Sequence, residues 1–189
     1  MAKITNILLV GVGGQGIVSS SDIISDMALA KGHDVKKSEI HGMSQRGGVV
    51  YSFVRYGEKV YSPLPLKEEV DFIASFEEME ILRWQDYINP KTKVIVNTQQ
   101  IKPASFAFTK QEYPDVKGAF KHQHVKYIDA IAAAKEEGNI KFVSSVMTGA
   151  LCAYLDFNEN DFREAFTKRV GKYTDENVKA FLKGKESVK

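Results

Sequence analysis

The feature that most constrains this chain is a near-continuous apolar run at residues 3–10, with Ile4, Ile7, Leu8, Leu9 and Val10, that ends directly on Gly11-Val-Gly-Gly-Gln-Gly16. An unbroken apolar stretch of this kind matches a strand buried on both faces, as at the centre of a parallel sheet. Parallel strands need a crossover, and one follows at once. Ile17, Ile24, Met27 and Ala28 recur at helical spacing, and Lys31-Gly32 supplies a glycine stop. Strand, glycine loop and helix thus open a βαβ unit.

Residues 34–40 predict a second strand, parallel to the first and reached by a right-handed crossover. His41-Gly-Met-Ser-Gln-Arg-Gly-Gly48 is too polar and glycine-rich for either period and reads as a loop. Residues 49–55 return as a β segment, 56–59 as a turn, and 60–64 as the second arm of an antiparallel hairpin stopped by Pro63 and Pro65. Strands at 70–76 and 93–98 flank a helical 77–87, with Met79, Leu82 and Trp84 near one another. Residues 102–123 read as loop with weak strand, 125–128 as the last strand, and 129–137 as a helix stopping at Gly138-Asn139.

From about residue 142 the chain reads as helical. Ser144, Ser145, Thr148, Gly149 and Ala150 suit a helix lying closely on its neighbour, and Phe162, Ala165, Phe166 and Val170 mark an amphipathic face. Thr174, Asp175 and Glu176 start a final helix that the sequence ends at 183–185. The expectation is one domain over 1–189: α/β, Rossmann-like and three-layer αβα, with a mostly parallel sheet and an inserted β-hairpin.

Composition excludes more than it suggests. A net charge of +2 with 26% charged residues offers no basic excess for nucleic acid. The first residues show no charged leader with an apolar core, and no apolar run approaches membrane-spanning length, so a cytoplasmic location is expected. The single cysteine, Cys152, rules out an internal disulfide and a self-contained iron–sulfur cluster, which needs about four thiolates.

Gly11, Gly13 and Gly16 satisfy the dinucleotide fingerprint in its proper context, after a strand and opening a helix. Such glycines let backbone approach a phosphate, or simply let strand, turn and helix pack closely. The ribose-gripping acid expected about 20 residues on has one reasonable candidate, Glu39. A phosphate-binding P-loop fails, because Ile17 and Val18 stand where lysine and Ser/Thr are required.

In the second loop Arg46 could hold a phosphate or carboxylate bidentately while Gly47 and Gly48 expose backbone amides. The alternative is a structural loop with Arg46 paired to an acidic neighbour. His41 has no companion at metal spacing and reads as a hydrogen-bonded histidine. His122 and His124 share a strand face, but two ligands do not define a metal site. Cys152, among Ala150, Leu151 and Ala153, reads as a small apolar residue. No catalytic acid, base or nucleophile is identified.

Three segments together resemble one family: residues 6–16, ending on the glycine loop; Lys37-Ser-Glu-Ile-His-Gly-Met-Ser-Gln-Arg-Gly-Gly48; and Val60-Tyr-Ser-Pro-Leu64. They look like the gamma-type domain of 2-oxoacid:ferredoxin oxidoreductases, and the stretch from Glu39 to Gly48 is most similar to the small subunit of the indolepyruvate type. Agreement continues through Val70–Ala74, Glu80–Arg83, Thr148–Leu151 and 172–184.

The resemblance implies a subunit, inactive alone, of an enzyme of anaerobic metabolism. That enzyme oxidatively decarboxylates arylpyruvates to acyl-CoA and passes electrons to ferredoxin. It implies a larger partner subunit carrying thiamine diphosphate, Mg and [4Fe-4S] clusters, since the Gly-Asp-Gly segment that holds the diphosphate is missing here. CoA is the implied co-substrate. The implied ligand-facing residues are Gly11, Gly13, Gly14, Gln15 and Gly16 with Glu39, His41, Gln45, Arg46, Gly47 and Gly48. Two other readings stay open: a self-sufficient Rossmann oxidoreductase using NAD(P) or flavin, and an interaction module without such a partner.

Overall fold

The computed structural model describes residues 3–42, 48–103, 105–109 and 111–189, and of His41 and Ala107 the backbone only. Its centre is β1 (Thr5–Val12), buried from Asn6 onward as the apolar run requires. The glycine loop leads into α1 (Ile17–Ala30), whose Ile17, Ile24, Met27 and Ala28 are all at most 2% exposed. Gly32, at φ +81, closes the helix with the left-handed turn that glycine adopts most readily.

The remaining strands are β2 (Asp34–His41), β3 (Val49–Gly57), β4 (Val70–Ser75), β5 (Ile88–Asn97) and β6 (Val125–Ile128). They form one sheet in the order β2-β3-β1-β4-β5-β6. The three ladders joining β1, β4, β5 and β6 are parallel, and β3 runs against both of its neighbours.

The inserted hairpin is therefore present, but its arms differ from those expected. β2 and β3 are the arms, and β3 rather than β2 lies beside β1. β3 takes the inner place because both its faces can be buried: Val50, Val54 and Tyr56 enter the larger core while Phe53 enters the smaller one.

Residues 60–64 are not a strand. The carbonyls of Ser62 and Leu64 accept from Arg55 Nη1 at 3.0 and 2.7 Å, and the Val60 N–H donates to Asp34 Oδ2 at 3.0 Å. With Pro63 and Pro65 lacking donors, the segment becomes a strap tied down by side chains.

One face of the sheet is covered by α1, α4 (Ala130–Glu136), α5 (Val143–Cys152), α6 (Glu159–Arg169) and α7 (Thr174–Glu186). The other carries a thinner layer. Residues 77–87, expected as a helix, form two 3-10 turns, Met79–Arg83 and Gln85–Tyr87. The cause is Glu77, whose buried carboxylate accepts from the N–H groups of Met79, Glu80 and Ile101 and from Tyr113 Oη. A side chain that captures the backbone donors just after it favours a tight turn over an α-helix.

Residues 102–123 hold two short helices, α2 (Phe106–Thr109) and α3 (Val116–Ala119), and no strand among the described residues. α7 runs through Gly184 instead of ending there. A Cβ on Gly184 would overlap the backbone of Val146, and one on Gly149 that of Phe181, so the glycines let α5 and α7 touch backbone to backbone. No helix among the described residues is long and apolar enough to cross a membrane.

Candidate functional site: the glycine edge of the sheet

Because five strands share one direction, β1, β2, β4, β5 and β6 deliver their carboxyl ends to one edge. There the chain reverses its winding between β1 and β4, the place where α/β sheets open a crevice for ligands. The antiparallel β3 brings the start of its strand to that same edge, with Val49 opposite Val12. The two glycine segments are consequently neighbours: the Gly13 N–H donates to the Gly48 carbonyl at 2.9 Å. That bond uses the amide a phosphate would need at the second fingerprint glycine.

The other loop residues divide by role. At Gly11 a Cβ would lie 2.6 Å from Gln15 Oε1 and 2.9 Å from Phe76 Cβ, and at Gly16 (φ +84) it would lie 2.7 Å from Ser144 Cβ. Both glycines are thus demanded by packing. Gly14 (φ +98) has nothing within 4 Å of such an atom, and it alone of the three faces open space.

Gln15 is a strut. Its Oε1 accepts from the Val12 N–H at 2.7 Å while Nε2 donates to the Phe76 carbonyl at 2.8 Å and to Gln99 Oε1 at 2.9 Å. One amide therefore ties together the ends of β1, β4 and β5.

Glu39 stands two strands from β1, since Leu9 faces Ser52 and Ser52 faces Glu39 across the ladders. At about 4.8 Å per strand that adds roughly 5 Å to the reach expected of a ribose-binding acid. It also takes an ion pair from Lys37 Nζ at 2.7 Å. Burial lowers the Lys37 ammonium, but the Asp22 and Glu39 carboxylates outweigh it and hold its pKa above the ordinary value. His41 ends β2 opposite Val50; its side chain, and all of Gln45, Arg46 and Gly47, lie outside the described residues.

Beside Gly14 is a cleft of about 220 Å³ lined by Gly14, Gln15, Gln99, Ile131, Ile140, Lys141 and Val143. Gln99 and Lys141 were not singled out from the sequence. Gln99 had a usable signal, an amide just past the carboxyl end of a parallel strand; Lys141 had none, because its neighbours in space come from β1 and β5.

Among the described residues the edge holds no assembled catalytic group. Cys152 is fully buried, and burial pushes its thiol up to about 12. His122 contacts the Asn89 carbonyl at 3.2 Å, near the start of β5 and so at the opposite end of the sheet. Among the described residues no group of three His, Cys, Asp or Glu is placed to hold a metal ion. A lone buried thiol likewise does not fit an iron–sulfur cluster.

Fold and edge define a Rossmann-like α/β domain whose described edge residues present backbone and amide groups instead of reacting side chains. The chain belongs to the pyruvate ferredoxin/flavodoxin oxidoreductase family, whose model matches residues 6–187. Within it, the chain is a small subunit of the 2-oxoacid:ferredoxin oxidoreductases, enzymes that act as multi-subunit complexes.

It is 34% identical to the indolepyruvate oxidoreductase subunit IorB of Thermococcus kodakarensis, over 97% of this chain and 96% of that one. It is also 34% identical to the IorB of Archaeoglobus fulgidus, over 95% and 92%. Among solved structures, the pyruvate oxidoreductase subunit PORC of Thermotoga maritima superposes with a TM-score of 0.74 at 22% identity, over 98% and 97% of the two chains. The 2-oxoglutarate:ferredoxin oxidoreductase of Magnetococcus marinus superposes with a TM-score of 0.77 at 24% identity, over 98% of this chain and 31% of that longer one.

Proposed function

We propose that this chain is the small subunit of an indolepyruvate-type oxidoreductase that converts arylpyruvates, CoA and oxidised ferredoxin to acyl-CoA, carbon dioxide and reduced ferredoxin in the cytoplasm. The similarity to IorB subunits along nearly the whole chain supports the branch. The observation that carries the reading of the site is the Gly13–Gly48 bond, which turns two separate glycine segments into one edge.

Thiamine diphosphate, Mg and [4Fe-4S] clusters belong on a larger partner subunit, where they supply carbanion stabilisation and electron storage. Among the described residues none fits those groups, and on this reading the chain contributes no side chain to the bond-breaking steps. Its own task is binding and orientation. Gly14 leaves room for close approach, Gly48 is held next to Gly13, and Lys141 supplies positive charge at the cleft. Such an edge suits the phosphates of CoA and the rim of the partner's active centre.

The test is anaerobic, substrate-dependent viologen reduction with indolepyruvate or phenylpyruvate and CoA. We expect activity only when the chain is mixed with its larger partner. Activity of the chain alone, or a partner whose activity is unchanged by adding it, overturns the proposal.

A further inference from the structure

A second hollow lies on the helical side of the molecule, between α1, the 139–144 segment and the junction of α6 with α7. Its volume is about 290 Å³, and its lining includes Ile23, Phe142, Phe166 and Val170 together with Lys141 and Lys172. Ile23, Phe142 and Phe166 are nearly buried and form an apolar floor, whereas Val170 is 52% and Tyr173 67% exposed at the rim.

Charge is one-sided here. No aspartate or glutamate lines the hollow. Among the described residues no carboxylate lies within 4.0 Å of either lysine, although every nearby acid on α1 is taken: Asp22 by Lys37 and Arg169, Asp26 by Arg169. The two amide side chains of the lining are internally occupied. Asn177 accepts from Ser145 Oγ at 2.7 Å and donates to the Tyr173 carbonyl at 2.8 Å, and Asn139 caps the Lys141 N–H at 2.9 Å. The charged groups left for a ligand are two ammonium ions, with the Ser19 and Ser144 hydroxyls beside them, above an aromatic and aliphatic floor.

We propose that this hollow binds a small aromatic monocarboxylate, its ring on Phe142, Phe166 and Ile23 and its carboxylate between Lys141 and Lys172. Size decides the class. Small-molecule sites run from about 300 to 1,000 Å³, so this one, at the bottom of that range, is matched in size by a one- or two-ring acid. An apolar floor with one sign of charge at its rim selects an amphipathic anion over a free phosphate, which leaves the floor wet, and over a neutral ring, which leaves the lysines unused. An arylpyruvate or its arylacetate relative has this shape. In that respect the proposal extends the functional reading above, but the binding claim rests on the hollow alone. Lys141 lines both hollows, whereas Ile23, Phe142, Phe166 and Lys172 do not line the cleft beside Gly14.

The test is calorimetry and ligand-observed NMR on the purified full chain with indole-3-acetate, with neutral indole and inorganic phosphate as controls. Saturable binding of the acid alone is expected. It should weaken about tenfold in the Lys172→Gln variant, the loss of one charged hydrogen bond. Val170→Asp, a surface change that brings a like charge to the rim, should weaken it as well while circular dichroism stays unchanged. Equal binding of indole and indole-3-acetate, binding indifferent to Lys172, or no saturation at millimolar acid overturns the site. Binding is read on the isolated chain and Lys172 does not line the cleft beside Gly14, so loss of viologen reduction by the complex and loss of this site are distinguishable.

Discussion

Replacing Gly16 by alanine separates the two uses of the glycine loop, because its cost has two parts and Gly14 shares only the first. Gly16 sits at φ +84 and Gly14 at φ +98, so each alanine meets the left-handed penalty, roughly 1–2 kcal/mol. Stiffening of the unfolded chain offsets about 0.4–1 kcal/mol of it. Only at position 16 does the new methyl meet anything, lying 2.7 Å from Ser144 Cβ. Carbon atoms rest at about 3.5–4.0 Å, so α1 and α5 must part by roughly 1 Å, an overpacking worth about 1–3 kcal/mol.

Gly16→Ala should therefore destabilise by about 2–4 kcal/mol and Gly14→Ala by no more than about 1–2 kcal/mol. Urea unfolding followed by circular dichroism, at unchanged m, reads both. A cycle with Ser144→Gly isolates the steric part and should return a coupling of about 1–3 kcal/mol. Equal costs at 14 and 16, or no coupling to Ser144, would refute the assignment of Gly16 to packing and leave Gly14 with no special claim to the open edge.

Three further outcomes follow from the packing and the charges. Gly184→Ala, which in an exposed helix would stabilise by about 1 kcal/mol, should instead lower the melting temperature by several degrees, because its Cβ overlaps the Val146 backbone; a rise would contradict the α5–α7 contact. Lys36 and the Val60 N–H hold the Asp34 carboxyl at about 2, below its ordinary range. The stability it lends is thus present above the unfolded value near 4 and is lost as pH falls through 2. An Asp34 resonance titrating at 4 in the native protein would remove that tie to the strap. Cys152, buried with its thiol pushed to about 12, should resist iodoacetamide at pH 8 until the chain is denatured; rapid labelling of native protein would show that α5 is not packed as described.

Much of the fold was legible because its signals are local. The apolar run of β1, the helical spacing of Ile17, Ile24, Met27 and Ala28, and the Gly32 stop each occupy contiguous residues, and all recur in the structure. The misread parts depend on partners distant in sequence. Residues 60–64 alternate well enough for a strand, yet Arg55 and Asp34 claim their backbone groups. Residues 77–87 have helical spacing, yet Glu77 gathers donors from Met79, Glu80 and Ile101 and tightens the turn. Gly184 has the composition of a helix end but serves a helix crossing, because absence of a side chain meets both needs.

At the glycine edge the division is the same. The sequence by itself determined that a central strand would break into a glycine loop and open a helix, since burial on both faces and freedom of φ are properties of the residues themselves. It also determined that one buried cysteine could hold no cluster. Only the tertiary structure decided what each glycine is for. β3, inserted between β1 and β2, brings Gly48 to Gly13 and carries Glu39 a strand further away, while α5 sets Ser144 against Gly16 and leaves Gly14 open. A side chain's chemistry travels with its letter, but which strand lies next to which is settled by burying both faces of the sheet at once.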